Sequence, residues 1–267
     1  MKPYFLLKLT FFSFGFLTAF INIIEFICVK IFQKPIFVHL YLVKKKLPKR
    51  EKKILQNNSS FYKKLTPRHK IYFEHRLTLF IRRYKFISRD GFSITPEVKV
   101  LIACSYLKLT FGMRRYLTSI FDKIIVYPKS FYSVITKQYH KGEFNPALKI
   151  IAFSWEDFLA GNRITNDNIN LGIHEFTHAL TFHGKKSNDN GARLFYSVFL
   201  EITMFMDKKE RIKQIKNSNY FRPYALTNRL EFIAVVMEHF FETPKDLEKA
   251  FPELYRKIKV MLNYNPG

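Results

Sequence analysis

Residues 9–29 read LTFFSFGFLTAFINIIEFICV, with Glu25 as the one charge. As a helix rising 1.5 Å per residue, this run spans roughly 30 Å, the thickness of a bilayer core. A run this long and apolar must cross a membrane, be cleaved as a signal, or be wrapped by a large core. A cleaved signal calls for small residues after the apolar stretch, whereas Val29 is followed by KIFQK. Residues 1–33 therefore read as an N-terminal transmembrane anchor. Glu25 falls about one turn from its end, where a carboxylate is hydrated at modest cost.

Charge sets the expected orientation. Lys30, Lys34, Lys44, Lys45, Lys46, Lys49 and Arg50 follow the run, and Lys2 and Lys8 precede it. The positive-inside rule places the body in the cytoplasm, on a single-pass cell-membrane protein held through residues 9–29. Residues 34–51 read as a basic juxtamembrane connector suited to anionic headgroups. The chain has 45 Lys and Arg against 21 Asp and Glu, a formal charge of +24. Such a balance attracts anionic partners but does not choose a fold. No nucleic-acid-binding motif accompanies it, so a nucleic-acid partner is set aside. Cys28 and Cys104 lack CxxC spacing, which leaves no cysteine metal site or disulfide framework.

The rest, residues 52–267, reads as one α+β domain, mostly helical with a small sheet. Apolar spacing predicts helices over residues 67–87, from Pro96 to about Gly112, and over 192–206 and 229–241. A last helix over 245–262 is broken at Pro252. The β-branched stretches KIIVY (123–127) and KIIAFSW (149–155) predict strands, and residues 131–137 a further one. Thr165, Asn166 and Asp167 offer an N-cap for a helix over 168–182 that stops near Gly184.

That last helix carries His174-Glu175-Phe176-Thr177-His178. Histidines four apart project from one face, so both imidazoles can reach one metal, which zinc accepts at about 2.0–2.1 Å. Glu175 points beside the pair, placed to take a proton from a water whose pKa the metal lowers to near 7. The three-histidine pattern HExxHxxGxxH is excluded, because its later positions hold Thr181 and Gly184. His183 reads as polar surface near the helix end. A third ligand then comes from a later helix. Glu201 and Glu231 both sit among apolar residues, where a charge calls for a partner. The residues themselves leave these two near equal, with Glu238 and Glu242 behind them, nearer a solvated helix end.

The segments LGIHEFTHAL and RPYALTNRLEFIAVVMEHFFETPKDLEKAFPELYRKI together resemble the zinc-dependent peptidases related to Mlc titration factor A, over about residue 35 to the C-terminus. The resemblance implies a zincin-like domain of the gluzincin type binding one Zn2+ per chain. It makes Glu231 the third ligand beside His174 and His178, and Glu175 the general base. Tyr224 becomes a hydroxyl donor to the developing oxyanion, and Glu238 a support hydrogen-bonded to a ligand histidine. A strand beside the metal helix is also implied. KIIAFSW is the candidate, its edge open to an extended peptide. The expected function is hydrolysis of peptide bonds by a metal-activated water, as an aminopeptidase on peptide or protein substrates. The rival is a membrane-tethered regulatory protein that uses the zinc domain as scaffold to bind a transcription factor or similar partner.

Overall fold

The computed structural model describes residues 3–264, with side-chain surroundings from residue 15 onward. Met1 and Lys2 of the expected anchor and residues 265–267 of the expected body lie outside the described residues. In chain order the elements are α1 (Pro3–Phe32), α2 (Lys49–Asn58), α3 (Ser60–Lys64), α4 (Pro67–Arg83), β1 (Lys85–Ser88), α5 (Pro96–Thr110), β2 (Lys123–Tyr127), β3 (Phe131–Ser133), β4 (Gln138–His140), β5 (Gly142–Asn145) and β6 (Ile150–Ser154). There follow α6 (Trp155–Arg163), α7 (Leu171–Lys186), α8 (Asn190–Met206), α9 (Lys209–Ser218), a 3-10 turn (Pro223–Leu226), α10 (Arg229–Glu242), α11 (Pro244–Ala250) and α12 (Pro252–Met261). The architecture is mostly helical with a small sheet.

The sheet has the order β1-β2-β6-β5. β1, β2 and β6 are parallel, and β5 closes one edge antiparallel to β6. Ile124, Val126, Ile151 and Phe153 are buried in its two central strands, as expected where helices cover a parallel sheet. Phe176, between the histidines of the HEFTH segment, points into this core. Its ring lies 5.1 Å from Tyr106, 5.5 Å from Phe153 and 5.9 Å from Phe121. Burying such a ring contributes roughly 1.5–3 kcal/mol, and it fixes which way the histidine face of α7 looks.

Several expectations need correction. The helix predicted over 67–87 ends at Arg83, and its last residues form β1 beside β2. α7 is capped not by the Thr165–Asp167 cluster but by Asn170, whose side chain accepts from the Ile173 N–H at 3.1 Å. It does not stop near Gly184 but runs through it to Lys186. A Cβ on Gly184 would meet the Ala192 carbonyl at 2.5 Å, so the glycine serves close packing of α8 and not termination. KIIAFSW supplies β6, an interior strand paired on both sides; the sheet edge beside it is β5.

α1 is long and apolar enough to cross a membrane, with mean hydropathy 1.9 over Gly15–Phe32. Glu25 is not hydrated, as expected from its place near the helix end, but 1% exposed. Its carboxylate accepts from Arg114, at 3.0 Å from Nε, and from Asn190 Nδ2 at 3.3 Å. Arg114 also donates to Asn22 Oδ1 at 2.7 Å. α1 is thus bonded to the body by a largely buried polar cluster.

Arg76 on α4 organises a second buried cluster. Fully buried, it donates to the carbonyls of Val38, Thr110, Phe111 and Met113 at 2.8–3.0 Å and to the Tyr41 hydroxyl, and its guanidinium lies over the Tyr116 ring.

Candidate metal centre

Two helix starts set the geometry. Asn170 opens α7 and also donates to the Gly161 carbonyl (2.8 Å) and to Glu242 Oε1 (3.1 Å), tying α7 to α6 and α10. Asn228 opens α10 by accepting from the backbone N–H of Leu230 (2.9 Å) and Glu231 (3.0 Å). Glu231 therefore lies in the first turn of its helix, where the positive end of the dipole favours a carboxylate.

α10 packs along α7 and brings Glu231 onto the two histidines. His174 Nε2 lies 2.9 Å from Glu231 Oε2, and His178 Nε2 lies 3.5 Å from Oε1. One ligand atom from each of the three residues falls within 4.8 Å of the others. The imidazole rings are 4.7 Å apart and perpendicular. Two imidazoles and one carboxylate form the donor set of a catalytic zinc site, with a fourth position open. The convergence of these atoms, two of them on one buried helix face, fits such an ion.

His174 is held from behind. Its Nδ1 lies 2.6 Å from Glu238 Oε1. Glu238 was expected near a solvated helix end, but is 1% exposed. It also accepts two hydrogen bonds from Arg222, at 2.6 and 3.0 Å. A carboxylate oxygen accepts, so Nδ1 donates to Glu238 and Nε2 is the nitrogen that faces Glu231 and the group. Burial alone would lower the His174 pKa, but the hydrogen bonds to Glu231 and Glu238 outweigh it and push the value up to about 10. Burial would raise Glu231, yet its hydrogen bonds with His174 and His178 hold it well below the usual carboxylate range.

Glu175 is buried beside the histidines. Burial pushes its carboxyl pKa up, and His178 and His174 offset part of the rise. The edge strand closes over it: a Cβ on Gly142 would stand 2.7 Å from both Cγ and Oε1 of Glu175. Gly142→Val is expected to push the Glu175 carboxylate aside and, on the peptidase expectation from the sequence, to lower hydrolysis on the order of 10²-fold, since displacements near 1 Å have that effect. Steady-state kinetics on the variant, with its metal content measured alongside, check this.

Tyr224, on the 3-10 turn, has its ring 6.0 Å from that of His174, is 49% exposed and makes a hydrogen bond with Glu231. Burial and then Glu231 raise its pKa, so it keeps its proton. Glu201 is not brought to the group: it pairs with Lys257 at 2.8 Å. Glu242 binds the Asn168 N–H and Asn170 instead, and burial raises its pKa to about 7. His183 is half-buried rather than surface, and burial lowers its pKa. Arg222 went unnoticed in the sequence, where a lone arginine gives no sign of the carboxylate it clamps. A cleft of about 450 Å³ opens beside His174 and Glu175, walled by Tyr139, Lys141, Ile169 and Leu171.

A mostly helical body with a small sheet, and a helix-borne histidine pair joined by a glutamate from a second helix, define a protein of metallopeptidase type. The chain belongs to the glucose-regulated metallo-peptidase M90 family, that of Mlc titration factor A: the family model matches residues 39–262. An uncharacterised protein of Synechocystis sp. is 27% identical over 240 residues, covering 82% of this chain and 85% of its own length.

Proposed function

We propose that this chain is a zinc-dependent peptidase, anchored by α1 with its body in the cytoplasm, that removes N-terminal residues from peptides. The observation that carries the reading is the meeting of His174, His178 and Glu231 with Glu175 alongside. In this reading residues 1–33 are the anchor, 34–51 the basic connector and 52–267 the zincin-like peptidase domain.

His174, His178 and Glu231 would hold the ion, which when bound supplies Lewis acidity that activates water and polarises a carbonyl. Glu175 takes the proton of the attacking water at its carboxylate and delivers one to the leaving amine. Its raised pKa suits both halves of that transfer. Tyr224, protonated and partly exposed at the cleft, donates a hydrogen bond to the developing oxyanion. Arg222 clamps the Glu238 carboxylate, and Glu238 keeps the His174 ring turned. The open side of β5 is where an extended substrate adds its backbone hydrogen bonds.

Zinc content of the full chain, beside its Glu231→Ala and Glu201→Ala variants, tests the reading. About one zinc is expected in the wild type and in Glu201→Ala, and strongly reduced retention in Glu231→Ala. A folded wild type that takes up no supplied zinc would refute it. Free against N-acetylated peptides then decide the aminopeptidase assignment: cleavage of both alike would replace it with endopeptidase action.

A further inference from the structure

The strap between α1 and α2 is pinned along its length. The Val38 carbonyl accepts from Arg76 at 2.8 Å, the Tyr41 hydroxyl accepts from the same guanidinium, and the Lys45 N–H donates to His75 Nδ1 at 2.8 Å. His39 stacks on Tyr72 at 4.8 Å. Beside and between these pins Phe37, Leu40, Leu42 and Val43 stand outward, Leu42 being 98% exposed. Phe37 has φ of 53°, and Gln33, four residues earlier, has 50°. L residues rarely adopt left-handed conformations, and here the turn carries a phenyl ring into the open.

α1 shows the same two-sidedness. Asn22 and Glu25 are bonded to the body, while Ile23, Phe26 and Ile27 remain about half exposed. Exposed lysines at 30, 34, 44, 45 and 46 flank both apolar sets. These charges would repel a second copy of the chain, whereas each is attracted to an anionic leaflet.

We propose that α1 and the body form one unit, locked by Glu25, Arg114 and Asn190, and that this unit seats Ile23, Phe26 and the strap tips Phe37, Leu40, Leu42 and Val43 at the surface of an anionic bilayer. The proposal rests on reading α1 as the membrane anchor. It replaces a tethered body with one held at fixed orientation on the lipid, its strap tips entering roughly 5–10 Å.

The test uses the full chain in nanodiscs of phosphatidylcholine and phosphatidylglycerol, with Trp155→Phe as background and single probes Phe16→Trp and Leu42→Trp. Both probes are expected to lose about half of their emission when the acyl chains are brominated. Quenching of Phe16→Trp without Leu42→Trp overturns the proposal and leaves the anchor reading intact; quenching of neither removes both. Added Arg114→Glu is expected to relieve quenching at Leu42→Trp alone, and Glu25→Arg on top to restore it. Unchanged quenching with Arg114→Glu overturns the lock.

Discussion

Glu175→Gln is expected to leave the fold and the metal content of this chain unchanged while lowering kcat/KM for peptide hydrolysis about 10²–10⁴-fold. The amide has nearly the shape of the carboxylate, so the close approach of Gly142 is kept. What is lost is a basic oxygen beside His174 and His178. Glu175 is not among the three residues whose ligand atoms converge, so zinc should be retained to within measurement. Hydrolysis within ten-fold of wild type would remove Glu175 from the role of base. The same variant separates peptidase action from partner sequestration: a biological role that survives it would belong to the regulatory scaffold.

The second large effect concerns stability. Arg76→Met is expected to destabilise the body by about 3–5 kcal/mol, because it strips the donors from a cluster of buried acceptors. The carbonyls of Thr110, Phe111 and Met113 and that of Val38 all lose a charged donor at once. A methionine fills much of the same volume, so little of the loss is attributable to a cavity. Arg76→Lys should recover only part, since one ammonium cannot reach five acceptors held around a planar fork. Chemical denaturation of both variants measures this. A Met variant within 1 kcal/mol of wild type would mean that water replaces the guanidinium at these carbonyls.

What was readable in the sequence follows from how local each signal is. The HEFTH face needs only one helix turn, and KIIVY and KIIAFSW declare strands by their β-branched residues. β5 reads GEFN and carries no such mark; its place is set by pairing with β6. β1 was hidden because Phe86 and Ile87 continue the apolar spacing of α4, and only pairing with Lys123–Tyr127 draws them out of helix. The N-cap of α7 was ambiguous because residues 165–170 read TNDNIN, offering several capping side chains, and Asn170 gains contacts to Gly161 and Glu242 that no local rule foresees. Arg222, Arg76 and Arg114 find partners 16 to 92 residues away. Likewise the choice of Glu231 over Glu201 came from a family resemblance and not from the residues alone.

Membrane anchors are commonly treated as interchangeable parts, any sufficiently apolar helix serving as well as another. On the reading of α1 as an anchor, the bonds of Glu25 and Asn22 to Arg114 and Asn190 make this chain an exception. Grafted onto foreign cargo, the helix would carry a carboxylate into lipid without its counter-ion, at about 2.5–3.5 kcal/mol if placed near the bilayer centre. Exchanged for a generic helix, it would leave Arg114 without its carboxylate. α1 and the body are therefore suited to be inherited together, and the sequence of the helix is constrained by chemistry as well as by hydropathy.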